Sequence, residues 1–148
     1  MDELRPVRER RESLYRAMLA LEDAVASPTE MGEPWRLRVS QAAEHMRDMI
    51  DEHTHETERP DGFLERIVSD APRLVNRVQR IRSEHVDLQR QAGHLLGMLD
   101  DTPSGALSIH ADDVRDEVMR LVGALARHRQ RGADLIYEAY EVDIGEGD

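Results

Sequence analysis

The chain has 148 residues, no cysteine and a formal net charge of -11. This length suits one domain with a sizeable core, and the lack of cysteine excludes disulfide bonds and thiolate metal sites. The acidic balance disfavours a nucleic-acid-binding protein, which needs a basic face. The start of the chain has no apolar signal region, and no apolar run approaches the length of a membrane span. We therefore expect a cytoplasmic protein that binds neither nucleic acid nor membrane.

Aromatic residues make up only 3% of the chain, and good helix formers dominate the rest, so the predicted fold class is all-α. Apolar residues recur at alternating steps of four and three, the pattern of a buried helix face. Four helices of comparable length with short connections favour one domain over residues 1–148, an antiparallel up-down four-helix bundle. The predicted helices cover residues 7–26, 34–57, 72–99 and 111–140.

The first two predicted helices are separated by a short break. Ser27 and Pro28 end the first helix, because the residue before a proline disfavours helical geometry. Pro34 suits the first turn of the second helix, where its missing N–H costs no hydrogen bond. The apolar seam of the first helix carries one charged residue, Arg11. The seam of the second helix begins apolar and ends polar, and it consists of Trp35, Val39, Ala42, Met46, Met49, His53 and Glu56.

The third and fourth predicted helices follow a short helical stretch at residues 63–68. The third helix has the most regular apolar seam of the chain, with His85 in its middle. A loop at residues 100–108 contains a proline and a glycine and separates the two helices. The fourth helix carries His128 on its seam and is followed by an acidic tail at residues 141–148.

Three histidines occupy seam positions where the pattern calls for leucine or valine. His53, His85 and His128 lie about 28, 21 and 25 Å from the same end of the predicted bundle, at a rise of about 1.5 Å per residue. We therefore expect them to share one layer, together with Glu56 and Arg11. Imidazoles and carboxylates that converge from facing helices suit an iron, manganese or zinc ion. The alternative is a metal-free cluster in which each histidine is hydrogen-bonded to a neighbour.

The histidines and nearby carboxylates follow a characteristic order along the helices. His53-Thr54-His55-Glu56-Thr57-Glu58 ends the second helix, Glu84-His85 lies in the third, and His128 lies in the fourth, followed by Asp134-Leu135-Ile136-Tyr137-Glu138. This order resembles the hemerythrin, or HHE cation-binding, domain. The resemblance implies a four-helix bundle, commonly with a non-haem di-iron centre that binds oxygen or senses oxygen, nitric oxide or redox state.

The predicted layer and the resemblance together give a set of candidate metal ligands. The first candidates are His53, Glu56, His85 and His128, and the secondary candidates are Glu58 and Asp134. The chain departs from the family's pattern, because its first helix has no histidine, and Thr57 and Ala133 stand where the family has carboxylates. We therefore expect an incomplete iron site with one or two ions, or with none if too many ligands are lost. Arg11 is expected to replace part of the metal's charge by binding Glu56 across the core.

The predicted function follows from this incomplete site. We expect a hemerythrin-like, non-enzymatic module that binds metal or senses oxygen, nitric oxide or redox state. An iron-dependent oxidase or reductase is disfavoured, because too few carboxylates face inward. The alternative is a metal-free hemerythrin-like bundle that serves as a scaffold for a protein partner or for a homodimer.

Overall fold

The computed structural model describes residues 5–28, 32–101 and 107–142. Within these ranges the chain is mostly helical and contains no strand, so the predicted all-α class is confirmed. A 3-10 turn at Pro72–Leu74 and a π-helical segment at Tyr137–Val142 supplement the α-helices. The α-helices are α1 (Arg5–Ala26), α2 (Glu33–Glu58), α3 (Phe63–Asp70), α4 (Val75–Asp101) and α5 (Leu107–Ile136).

The helix bounds differ from the predicted ones mainly around the last loop and at the end of the chain. α4 extends to Asp101. α5 begins at Leu107, before the predicted start at residue 111, because residues 106–110 include no proline or glycine to delay the helix. The rest of the predicted loop, residues 102–106, lies outside the described residues. The predicted acidic tail begins within the π-helical segment, and its residues 143–148 also lie outside the described residues.

A tight turn ends α2 and redirects the chain into α3. Arg59 adopts an extended conformation, and its N–H donates to the carbonyl of His55. The N–H of Gly62 donates to the carbonyl of Arg59 at 2.8 Å. A Cβ atom at position 62 would lie only 2.6 Å from that carbonyl oxygen, so the turn requires glycine. The turn allows the buried side chains of α3, Leu64 and Ile67, to pack into the end of the molecule.

The four long helices pack in a closed ring. α1 contacts α2 and α5, and α4 completes the ring by contacting both α2 and α5. This arrangement is compatible with a four-helix bundle. Among the described residues, no helix is both long enough and apolar enough to cross a membrane.

Two apolar clusters fill the interior, and the histidine layer lies between them along the helices. The larger cluster joins the four long helices, and the smaller one joins α3 to parts of α4 and α5. Along α4, His85 falls between Ile81 of the smaller cluster and Leu88 of the larger one. His128 holds the equivalent place on α5, and His53 follows the last residue that α2 contributes to the larger cluster. The polar histidine layer therefore lies between the two apolar clusters.

The buried face of α2 differs from the predicted seam. Strict alternation of four and three assumes 3.5 residues per turn, whereas a straight α-helix has 3.6, so the buried face drifts along the helix. The predicted Ala42, Met49 and Glu56 are only partly buried. The residues that are buried are Trp35, Val39, Ala43, Met46, Ile50 and Thr57.

Candidate metal centre

The three seam histidines converge inside the ring of helices. His53 on α2, His85 on α4 and His128 on α5 each offer a ring nitrogen, and these atoms all lie within 4.8 Å of one another. The Nε2 atoms of His53 and His128 are 3.3 Å apart. His85 is 0% exposed and His128 is 4% exposed, whereas His53 is partly buried. The prediction that the three rings share one layer is confirmed.

Two carboxylates hold the outer nitrogens of this group. Glu58 Oε2 lies 3.0 Å from His85 Nδ1, and Glu84 Oε1 lies 2.8 Å from His128 Nδ1. A carboxylate can only accept, so each Nδ1 carries the hydrogen and donates it. The Nε2 atom of each ring is then left with a lone pair. Carboxylates that accept from the far nitrogen of a histidine are the usual outer partners of metal-binding imidazoles, because they fix the ring's orientation and tautomer.

Arginines hold these carboxylates in turn. Arg131 Nε lies 3.1 Å from Glu84 Oε2, and Arg80 approaches the same oxygen at 3.7 Å. Arg82 lies 3.8 Å from Glu58 Oε1. Burial raises the pKa of Glu58, and the nearby Arg82 partly offsets this rise. Arginines on α4 and α5 thus hold the two glutamates that accept hydrogen bonds from the histidines.

The histidines are neutral at physiological pH. Burial lowers the pKa of His53 to about 3, and the neighbouring His128, Arg10 and Arg11 add to the effect. Burial also lowers the pKa of His85, and the adjacent imidazoles of His53 and His128 add to the effect. The pKa of His128 is lowered by burial as well, although its hydrogen bond to Glu84 works in the opposite direction. Neutral imidazoles keep the lone pairs that a metal ion needs.

The residues present fit a metal ion. His85 Nε2 and His53 Nδ1 are buried and have no hydrogen-bond partner within the described part of the chain. A buried polar atom without a partner costs free energy. An ion would recover that free energy at His85 Nε2, but not at His53 Nδ1 if His53 binds the ion through Nε2. For His85 the unpartnered atom is the one that the hydrogen bond to Glu58 leaves with a lone pair. The three histidines could therefore hold a metal ion.

A small cavity adjoins the centre. It has a volume of about 40 Å³ and reaches both His53 and His128. Its other walls are mainly apolar and include Leu14, Leu64 and Leu135. An apolar cavity of about 150 Å³ binds benzene, so this cavity has room for a ligand of only a few atoms.

The remaining predicted site residues lie outside the group of three. Glu56 Oε2 accepts a hydrogen bond from Arg10 Nη2 at 3.1 Å, so the expected bond from Arg11 to Glu56 is wrong. Arg10 precedes Arg11 by about 100° around the helix and faces the α1–α2 boundary, where the partly buried Glu56 lies. Arg11 instead lines the small cavity. Asp134 is exposed and accepts from Gln130 Nε2 at 2.9 Å.

The role of Glu84 was not predicted from its place in the chain. Glu84 directly precedes His85, so on an isolated helix its side chain points to a different face. In the ring of helices that face meets α5, and Glu84 contacts His128 rather than its neighbour. Spacing along one helix gives no signal for such a contact between helices.

Comparison with protein-family models, curated proteins and solved structures found no match for the chain. The likeness to the hemerythrin domain therefore rests on the short segments around the three histidines. The geometry of the centre stands independently of that likeness. It consists of three imidazoles, of which the two buried ones, His85 and His128, are oriented by carboxylates.

Proposed function

We propose that the protein is a metal-binding module in which His53, His85 and His128 hold one divalent transition-metal ion. The observation that carries the proposal is the convergence of three neutral imidazoles, with carboxylates on the outer nitrogens of two of them. The Nε2 atoms of His53 and His128 lie within hydrogen-bond distance of each other, as they would in a cluster without metal. The buried Nε2 of His85 has no partner among the described residues, and this free lone pair favours an ion.

The spacing of the nitrogens supports tetrahedral coordination. Nitrogen ligands lie about 2.0–2.1 Å from zinc, so two of them at the tetrahedral angle are about 3.3–3.4 Å apart. The Nε2 atoms of His53 and His128 are separated by 3.3 Å. The ring nitrogen that His85 offers lies within 4.8 Å of those of the other two histidines. Three histidines with a fourth position open is an arrangement that zinc uses in proteins.

The donor set favours one ion rather than two. Imidazole suits zinc, iron, copper and nickel, and a second ion would need further carboxylates or imidazoles close by. Glu58 and Glu84 are engaged with histidine Nδ1 atoms, and Glu56 is paired with Arg10. An iron-containing form of the centre would thus hold a single non-haem ion.

We further propose the hemerythrin-like, antiparallel up-down arrangement for the helices. Arg115, near the start of α5, donates to the carbonyl of Val25 at the end of α1. Arg36, at the start of α2, donates to the carbonyl of Leu99 near the end of α4. These contacts support opposite directions for α1 and α5 and for α2 and α4. The order of histidines along such helices resembles that of the hemerythrin domain.

The module binds or senses and does not catalyse. An ion in the centre supplies an open coordination position, and the adjoining cavity of about 40 Å³ limits access to very small ligands. Among the described residues, no carboxylate faces the cavity as a general acid or base. With iron in the centre, oxygen and nitric oxide would be ligands of the right size, and a change in the oxidation state of the ion would be the corresponding redox signal. If no metal binds, the competing proposal is a scaffold that binds a protein partner or forms a homodimer.

Equilibrium titration with Zn²⁺, and with Fe²⁺ under anaerobic conditions, tests the proposal. Wild-type protein should bind one ion per chain, and His85→Ala should abolish binding, because α4 offers no second imidazole to the centre. His94→Ala is the matched control, since His94 is an exposed histidine on the same helix. Binding that survives in His85→Ala but disappears in His94→Ala would place the metal on the surface and refute the proposal.

A further inference from the structure

Two arginines beside the histidine centre lack acceptors. Arg11 on α1 and Arg129 on α5 each have a buried Nε atom without a hydrogen-bond partner. Within the described residues, neither guanidinium takes part in an ion pair. The two side chains line both the small cavity and a larger surface groove of about 400 Å³. They therefore mark the point where the groove meets the cavity.

The carboxylates in the same groove are paired with other arginines. Glu9 lies 3.1 Å from Arg5, and Glu12 lies 3.6 Å from Arg16. Both are more than half exposed, so they remain at the outer rim of the groove. The inner end of the groove thus contains cationic groups without a protein anion to neutralise them.

The two guanidinium groups also repel each other. The pKa of Arg11 is lowered by burial and by the charge of Arg129. The Tyr15 ring stabilises Arg129 in part, because its centroid lies 4.2 Å from the guanidinium carbon. This contact leaves the Nε–H of Arg129 without an acceptor among the described residues, so it is available to an anion. Like charges brought together without a partner are costly, so their placement favours a ligand that neutralises them.

We propose that Arg11 and Arg129 bind the carboxylate group of a short-chain carboxylic acid, with its alkyl group in the adjoining cavity. A guanidinium matches a carboxylate in shape and donates two parallel hydrogen bonds to it. Beyond the arginines the cavity walls are mostly apolar, as with Leu14, Phe63 and Ile81. Its volume of about 40 Å³ accommodates one or two carbon atoms, so acetate and propionate fit, whereas longer chains exceed the space.

The anion site goes beyond metal binding and does not depend on a bound ion. It is tested in protein that has been stripped of metal. A failure of anion binding would leave the metal proposal standing, and the reverse also holds. Because the cavity also reaches His53 and His128, the alkyl group of the bound acid lies next to the centre.

The experiment is an NMR titration of metal-free, ¹⁵N-labelled protein with sodium formate, acetate, propionate and phosphate at constant ionic strength maintained with sodium chloride. We expect affinity to rise from formate to propionate, with shifts at Tyr15 and around Arg129. Arg11→Met and Arg129→Gln should each weaken propionate binding at least about tenfold, since each removes a charge-assisted hydrogen bond. Arg127→Gln is the matched control, because Arg127 is exposed on the same helix and its loss removes the same charge.

Several results would overturn the proposal. Equal weakening by Arg127→Gln would show that net charge alone attracts the anion. Phosphate binding as tight as propionate binding would refute the carboxylate assignment, because phosphate has no alkyl group for the cavity. The absence of saturable binding for every anion would refute the site. Arg129→Lys keeps the charge but not the planar fork, so unchanged propionate affinity in this variant would contradict paired hydrogen bonds even if Arg129→Gln failed to fold.

Discussion

Acid should destabilise the metal-free protein strongly, because its central histidines must remain uncharged to stay buried. A histidine with a lowered pKa in the folded state binds a proton more readily when unfolded, so its contribution to stability is present above the unfolded pKa of about 6.5 and is lost as the pH falls. The pKa of His53 is about 3 in the fold, and that of His85 is also lowered. The loss of stability therefore begins near pH 6.5 and continues down to the folded-state values.

The size of the effect follows from the linkage relation. At about pH 5.5, each of these two histidines costs about 1.4 kcal/mol relative to neutral pH, which gives about 3 kcal/mol for both. His128 contributes in the same direction, because its pKa is also lowered. The raised pKa of Glu58 acts in the opposite sense. A carboxyl group whose pKa is raised in the fold stabilises the folded protein when it is protonated, so Glu58 offsets part of the loss. Since a domain is usually stable by only 5–15 kcal/mol, a change of about 3 kcal/mol is readily measured.

Urea unfolding at a series of pH values from about 7.5 to 5.5 provides the assay. Circular dichroism follows the helices, and the fluorescence of Trp35, the only tryptophan, follows the larger apolar cluster. His55→Gln serves as the control, because His55 is exposed and its removal should leave the pH dependence unchanged. Two results would refute the buried neutral state. One is a free energy of unfolding that stays constant over this pH range, and the other is a fall of the same size in wild type and in a His85→Leu variant.

Three further predictions follow from the same contacts. Glu84→Gln should weaken Zn²⁺ binding about tenfold, because it alters the acceptor that orients His128. Glu44→Gln, at an exposed position, should leave the affinity unchanged. Equal Zn²⁺ affinities of wild type and Glu84→Gln in a titration would show that Glu84 does not support the centre. Calorimetry in two buffers at about pH 6 should detect fewer than about one proton released per Zn²⁺ bound, because the imidazoles are already neutral. Release of two or more protons would contradict the lowered pKa values of the histidines. In buffer without carboxylates, Arg11→Met should raise the free energy of unfolding by about 1 kcal/mol, since it removes an unpartnered buried donor, and a loss of stability would show that Arg11 has a partner.

Seam position and helical rise were enough to predict the histidine layer. Each histidine interrupts an apolar helix face, and counting about 1.5 Å per residue along each helix placed all three at similar depths. Both inferences depend only on regular helix geometry, which a chain of strong helix formers obeys. The predicted convergence of His53, His85 and His128 is accordingly confirmed by the structure.

Contacts that depend on the rotation of one helix against another were not predictable in the same way. A helix with 3.6 residues per turn drifts by about 20° per heptad from a pattern with a period of 3.5 residues. By the end of α2 this drift places Thr57, and not the predicted Glu56, on the buried face. The same uncertainty applies to α1, where Arg10 rather than Arg11 reaches Glu56. Glu84 was missed for this reason too, because its partner lies on another helix.

The most direct test of the central claim is the metal content of purified protein after loading with Zn²⁺ and removal of unbound ions by gel filtration. Elemental analysis should find about one ion per chain, as three imidazoles with one open position require. A triple variant in which His53, His85 and His128 are replaced by alanine should retain none. Wild-type protein without stoichiometric metal, or a triple variant that retains it, would contradict the assignment of this histidine layer as a metal centre.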